Sequence, residues 1–348
     1  MNANNPNEKP ARRVRYRGTH PRRFEQRYKE LAGDPATHEH VRAGGRTPAG
    51  THVPIMVEQV MQSLKPAAGE IVIDCTLGYG GHAGQFARRI APGGRLIGLD
   101  VDAGQLQRTR ERLAGLETPL SLHCLNFAGV GKVLALEGID AADIIFADLG
   151  VSSMQLDDPA RGFSYKHVGP LDMRMSERLK ATAADWLARL SEQELSDALR
   201  DLGDEPDHPR IAALIVQRRG ERPLTGTGEL AELVLEAKGL DGRRVPAGAK
   251  RLPHPAARTF QALRMLVNDE LGCLRELLRA APYCLRSGGR VGILTFHSGE
   301  DRLVKHAFKD ALAAGLYSQI SDDVLRPTPD EVHSNPRSRP AKFRWAKR

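Results

Sequence analysis

Residues 70–74 (EIVID) run directly into a glycine-rich turn, Cys75-Thr76-Leu77-Gly78-Tyr79-Gly80-Gly81, and the turn runs into a helical pattern over residues 82–90. After the Gly93-Gly94 break a second β-rich run follows at 95–100 (RLIGLD), then a helical pattern at 105–116. Further β-rich runs lie at 120–124 and 143–148 (DIIFAD). Strands that alternate with helices specify β-α-β units, hence a parallel sheet covered by helices on both faces. A fifth apolar run, 290–296 (RVGILTF), comes much later, preceded by one long helical pattern over 258–281. Between them, 182–239 is polar and rich in Leu and Ala, with helical periodicity and no strand signal. The expected architecture is therefore an α/β fold interrupted by a helical insert. Residues 35–50 read as a linker, and 243–255, with three prolines and four Lys or Arg, as an exposed return loop.

Composition narrows the class. The chain has 348 residues, 41% of them hydrophobic and 27% charged, which excludes a mainly disordered or collagen-like protein. No apolar run approaches the roughly 18 residues that a membrane-spanning helix needs. No apolar segment of signal-peptide type stands near the N-terminus. Cys75, Cys124, Cys273 and Cys284 form no CxxC pair and show no metal-ligand spacing, so they read as reduced thiols. The expectation is a cytoplasmic protein with neither a membrane nor a metal partner.

The net charge of +8 is unevenly placed. Residues 1–50 carry 11 Lys and Arg against 5 acids, residues 331–348 carry 6 against 1, and the body between is near neutral. Near the N-terminus Arg12, Arg13, Arg15, Arg17, Arg22, Arg23 and Arg27 interleave with Tyr16, Phe24 and Tyr28. Guanidinium groups pair with phosphate and stack on bases, as aromatic rings do. Two basic ends on a neutral body favour a polyanionic partner over a merely solvated tail, and nucleic acid fits best.

Two segments carry chemistry. The first is Asp74-x-Thr76-x-Gly78-x-Gly80-Gly81 followed, 26 positions after Asp74, by Asp100 at the end of the next strand. Glycine lets the backbone approach a ligand, and an acid in that place accepts hydrogen bonds from ribose hydroxyls. The spacing Gly78-x-Gly80-x-x-x-Gly84 is not the dinucleotide fingerprint, which argues against an oxidoreductase. The second begins with Asp148 at the end of the DIIFAD run and continues Leu149-Gly150-Val151-Ser152-Ser153-Met154-Gln155-Leu156-Asp157. Ligands of open α/β sheets bind beyond the carboxyl ends of the strands, so Asp148 either projects into that crevice or caps the following helix. The stretches at 161–165 and 169–175 have little periodicity and read as active-site or ordered surface loops.

Together these strings closely resemble the ribosomal RNA small-subunit methyltransferase H family. The resemblance is carried by Thr51-His52-Val53-Pro54, by the glycine loop through His82, and by the run from Asp148 to Asp157. It continues through Arg161-Gly162-Phe163-Ser164, residues 169–175, His254-Pro255-x-x-Arg258-Thr259-Phe260-Gln261-Ala262, Phe296-His297-Ser298-x-Glu300-Asp301-Arg302 and Asn335-Pro336-Arg337-x-Arg339, covering about residues 51–348. It implies an enzyme that uses S-adenosylmethionine to methylate the N4 atom of a cytidine in the decoding region of 16S rRNA within the small ribosomal subunit. It also implies a Rossmann-like methyltransferase sheet with an inserted helical domain. The boundaries expected are a basic extension at 1–50, a methyltransferase domain at 51–157 and 251–348, and a substrate-recognising insert at 158–250. By matching position the cofactor contacts would be Gly80, Gly81, His82, Asp100, Phe127, Asp148 and Gln155. Three features depart from the usual pattern: the first 50 residues, Ala83 where serine is usual, and Gly299 where a larger residue is usual.

The chemistry constrains the remaining residues. The N4 amine of cytosine is a poor nucleophile because its lone pair is delocalised into the ring. A nearby acceptor that holds an amine proton localises that pair, and Asp148 and Asp172 are the carboxylates available in the matched loops. The methyl donor is already activated, so the protein's task is chiefly alignment. A base in structured RNA must be presented unstacked, against Phe163, Tyr165 or a similar ring, unless those rings only pack the loop. Arg174, His297, Ser298 and Asp301 are further candidates for substrate contact, with a capping box from Ser298 to Asp301 as the structural alternative. The competing function is a ribosome-assembly RNA-binding protein that retains a cofactor site.

Overall fold

A computed structural model describes residues 54–240 and 254–348. The basic N-terminal segment and most of the return loop lie outside the described residues. The strands are β1 (Ile71–Asp74), β2 (Arg95–Asp100), β3 (Leu120–Cys124), β4 (Ala142–Asp148), β5 (Leu285–Thr295), β6 (Gln319–Ile320) and β7 (Lys342–Lys347), arranged in the order β3-β2-β1-β4-β5-β7-β6. The first five are mutually parallel, and β7 runs antiparallel to β5 and β6. The order reverses between β1 and β4. A crevice opens at such a point because the connections leave those two strands toward opposite faces of the sheet.

Neighbouring strand residues face opposite layers. Ile73, Ile97 and Ile145 pack with α4 (Val130–Glu137), α11 (Glu270–Cys284) and α12 (Ser298–Ala313). Val72, Leu96 and Ile144 pack with α1 (Val57–Leu64), α2 (Gly81–Ile90) and α3 (Ala103–Leu113). Burial on both faces explains why these strands read as continuous apolar runs rather than alternating ones.

The region after β4 holds α5 (Ser153–Asp157), α6 (Ala183–Arg189), α7 (Glu192–Gly203), α8 (His208–Glu221) and α9 (Thr227–Ala237). Leu187, Leu199, Ile215 and Leu230 from α6 to α9 share a separate core with Phe260 and Leu263 of α10 (Ala257–Asn268). A Cβ on Gly203 would sit 2.6 Å from the Arg258 carbonyl, so glycine permits the close approach of α7 to α10.

Three readings are corrected. The single helical pattern over 258–281 is two helices: Asp269 adopts φ 46° and ψ 46°, ending α10 and starting α11. The fifth strand begins at Leu285 rather than at 290: Leu285 pairs with Ala142, and the register then jumps to Arg290 opposite Ile144, with Gly288 at φ 78° in the bulge. The basic C-terminal end is no free tail. Phe343 and Ala346 of β7 are fully buried, and Arg344 pairs with Asp301 at 2.7 Å. Apolar residues interspersed with cations hid a strand there. The last α-helix before it is α13 (Pro329–Ser334), followed by a 3-10 turn at Pro336–Ser338.

Candidate active site

A cleft of about 1130 Å³ lies over the carboxyl ends of β1, β2, β3 and β4. That exceeds what one small ligand needs and leaves space for a nucleoside-sized donor together with a base. On its floor the loop after β1 is pinned to both neighbouring strands: Cys75 N–H donates to Phe146 O and Leu77 N–H to Leu99 O, each at 2.8 Å. Gly78 and Gly80 take φ 48° and 73°. Gly80 does not face the cleft; a Cβ there would sit 2.8 Å from Thr109 Cγ2, so it sets the turn that starts α2. Gly81 and His82 do line the cleft, at a helix N-terminus, whose positive dipole end suits a carboxylate such as that of a methionine moiety.

Asp100 holds this loop from below. Its Oδ2 accepts Gly78 N–H and its Oδ1 accepts Asp102 N–H, both at 2.9 Å. Burial raises its pKa, with those N–H groups opposing. Each carboxylate oxygen retains acceptor capacity for a hydroxyl. Phe127, in the turn after β3, lines the cleft too, and Asn126 Oδ1 fixes that turn by accepting Ala128 N–H at 2.9 Å. Gln155 faces the cleft from α5, where Ser152 and Gln155 form a reciprocal cap.

Asp148 stands at the end of β4. Its N–H donates to Thr76 Oγ1 at 2.6 Å, and its Oδ2 lies 3.6 Å from His82 Nδ1. Burial pushes its carboxyl well above the usual range, and repulsion from Asp74 and Glu300 adds to this. Asp74, buried and accepting the Thr76 N–H, is pushed up to about 7, chiefly by burial and further by Asp100.

The remaining candidates divide. Phe163 and Tyr165 line the cleft from the insert side, and His297 from beyond β5. Phe163 is buried in the insert core. Tyr165 stacks on His254 at 4.4 Å and meets the edge of Phe260. Asp172 and Arg174 are not on the cleft wall; they pair with each other at 2.7 and 2.8 Å. Burial opposes ionisation of Asp172, but Arg174 holds its carboxyl below the usual range. Ser298 donates to Asp204 Oδ2 at 2.9 Å, and Asp301 pairs with Lys342 and Arg344 behind the sheet end. The cap of α12 is His297, whose Nδ1 accepts Glu300 N–H at 3.3 Å, so the expected capping box from Ser298 to Asp301 is not formed.

Sequence reasoning missed the opposite wall, where α10 meets α11. Arg264 and Glu270, both on the cleft, form a two-point pair at 2.7 and 2.8 Å. Asn268 donates to Met173 O and accepts Met175 N–H, both at 2.8 Å, holding the insert loop. Arg161 joins that loop to the sheet through Asp102 at 2.8 Å and the carbonyls of Arg174 and Met175. No spacing announces an Arg and a Glu six positions apart across a helix break.

A sheet whose order reverses above a glycine loop, with acids ending three of its strands, defines an S-adenosylmethionine-dependent methyltransferase. Residues 49–348 match the MraW methylase family, and the chain belongs to that family. Ribosomal RNA small subunit methyltransferase H 1 of Lachnoclostridium phytofermentans is 42% identical over 351 residues, covering 98% of this chain and 94% of that protein. Ribosomal RNA small subunit methyltransferase H of Acidothermus cellulolyticus is 44% identical over 319 residues, covering 86% and 94%. Among solved structures, an rRNA methylase from Streptococcus thermophilus aligns over 86% of this chain and 99% of its own, at 11% identity and a TM-score of 0.39. That likeness is too slight to bear on the site.

Proposed function

We propose that this enzyme methylates the N4 amine of a cytidine in the decoding region of 16S rRNA, acting on the small ribosomal subunit in the cytoplasm. The observation that carries the reading is Asp148, a carboxylate at the end of β4 on the cleft wall, with Tyr165 of the insert lining the same cleft. Gly81, His82, Asp100, Phe127, Asp148 and Gln155 would hold the cofactor, with Gly80 shaping the turn. S-adenosylmethionine supplies an electrophilic methyl group on a sulfonium. Asp148 accepts a hydrogen bond from the N4 amine, localises its lone pair and receives the proton that leaves nitrogen. Asp172 is committed to Arg174, which supports assigning the base to Asp148. The insert, taken as 158–250, recognises flanking RNA and presents the base against Tyr165; Phe163 supports that loop from beneath. Arg174 shapes the loop through Asp172 and the Leu179 carbonyl, and His297 lines the far side of the cleft.

The test is methyl transfer from labelled S-adenosylmethionine to purified small subunits, followed by chromatography of the nucleosides. The expected product is N4-methylcytidine, with little turnover on free cytidine. Label on C5 or on a purine overturns the mechanism. Binding to subunits with no transfer would favour the assembly-factor reading.

A further inference from the structure

Where the strand order reverses, Asp148 and Glu300 line the cleft and Asp74 lies buried behind them. Asp74 ends β1, Asp148 ends β4, and Glu300 stands in the first turn of α12, just past β5. Thr76 joins the first two: its N–H donates to Asp74 Oδ1 at 3.1 Å, and its Oγ1 accepts Asp148 N–H at 2.6 Å. Asp74 and Glu300 are 1% and 2% exposed.

The basic side chains facing these acids are unequally shared. Glu300 has His297 Nε2 at 3.0 Å from α12 itself. Arg264 of α10 reaches toward Glu300 but is held by Glu270 of α11. Asp148 faces His82 of α2, with Asp74 and Glu300 as the repelling neighbours. His82 Nε2 lies 2.9 Å from the Ile55 carbonyl, which can only accept, so that nitrogen carries hydrogen. Nδ1 is the ring atom that faces Asp148. Asp100 of β2 adds repulsion to Asp74 and, among the described residues, accepts only backbone N–H groups. Among the described residues, no Lys or Arg pairs with Asp74, Asp100 or Asp148.

The methyl donor carries a sulfonium cation; its demethylated product, S-adenosylhomocysteine, carries a neutral thioether and is otherwise the same molecule. We propose that Asp74 and Asp148 distinguish donor from product by charge, releasing a proton when the sulfonium binds and keeping it when the thioether binds. The proposal rests on the reading that this cleft takes the donor with its sulfonium beside Asp148. Only an O–H bond breaks, its proton passing to solvent and its electron pair staying on the carboxylate. Burial and mutual repulsion keep the pair partly protonated near neutral pH, with Asp74 at about 7, so there is a proton to release. After transfer the cation is gone, and the proton leaving N4 restores the protonated pair.

The experiment is calorimetric titration of the full-length protein at pH 7 in two buffers of different ionisation enthalpy, which counts protons. The ligands are S-adenosylmethionine, S-adenosylhomocysteine and sinefungin, which places an ammonium where the sulfonium stands. The two cationic ligands should each release roughly 0.5–1 proton and the thioether close to none. Affinity for the donor should rise toward tenfold per pH unit between pH 6 and 8, with a flatter response for the product. Asp148→Asn and Asp74→Asn should each reduce the release and narrow the donor-to-product preference. Equal proton release by all three ligands overturns the proposal while leaving the cofactor site standing. Failure of the donor to bind at all overturns the reading of the cleft and this proposal with it.

Discussion

His82 Nδ1 lies 3.6 Å from Asp148 Oδ2 while its Nε2 faces the Ile55 carbonyl at 2.9 Å. The ring is further held against Phe146, with centroids 4.7 Å apart. A helix that begins at the glycine loop thus delivers a fixed imidazole to the carboxylate at the end of β4. That contact sets the imidazole against one oxygen of Asp148.

Replacing Asp148 by Asn keeps the shape but removes the proton acceptor. The methyl-transfer rate should fall about 10²–10⁴-fold. The melting temperature should hold or rise, because a charge repelled by Asp74 and Glu300 is lost. Single-turnover kinetics and calorimetry check the two halves; a large fall in melting temperature with unchanged rate would contradict the assignment.

The unliganded protein should lose stability as pH rises from 5 to 8. Asp74 has a folded-state pKa of about 7, above its unfolded value of 3.8, so the folded state binds the extra proton in that window. Stability present below the unfolded pKa therefore declines as pH climbs through the folded one, by at most about 1.4 kcal/mol per pH unit for this group. Asp74→Asn should flatten the profile measured by denaturant titration.

Asp100→Asn and Asp100→Ala should separate two duties. Asn retains an acceptor for the Gly78 N–H, whereas Ala leaves both Gly78 and Asp102 N–H groups without this partner. Lost hydrogen bonds of about 1.5–3 kcal/mol predict a tenfold to hundredfold weaker hold on S-adenosylmethionine for Ala. Parent-like affinity in Asp100→Ala would rule out the ribose contact.

Arg264→Met leaves Glu270 buried without its partner and should destabilise the fold by about 3–5 kcal/mol. Adding Glu270→Leu should recover most of that loss. A double variant no better than the single would mean the pair acts through more than mutual charge.

Deleting residues 1–45 should leave cofactor affinity intact and weaken RNA binding. The log–log salt slope should drop by about 0.7–0.9 for each phosphate contact removed. An unchanged slope would make the segment a passive extension.

Local pattern revealed the elements that depend on neighbours in sequence. Apolar runs ending in Asp74, Asp100 and Asp148 marked three parallel strands, and the glycine loop marked where a ligand approaches, because doubly buried strands and positive-φ turns demand particular residues at particular spacings. Family motifs placed His82, Phe127 and Gln155 in the same cleft that the fold brings together. What local pattern could not supply was partnership. Asp172 looked available until Arg174 was seen clamped on it, and Asp301 until Lys342 and Arg344 arrived from the far end of the chain. KFRWAK passed for a basic tail because a strand with one neighbour on each side is stabilised by β5 and β6, not by its own composition. The chain by itself thus determined the sheet, the loop and the acids that end the strands. Only the tertiary structure decided that Asp301 has Lys342 and Arg344 beside it while those strand-ending acids, among the described residues, pair with no Lys or Arg, since such pairing depends on residues dozens to hundreds of positions away.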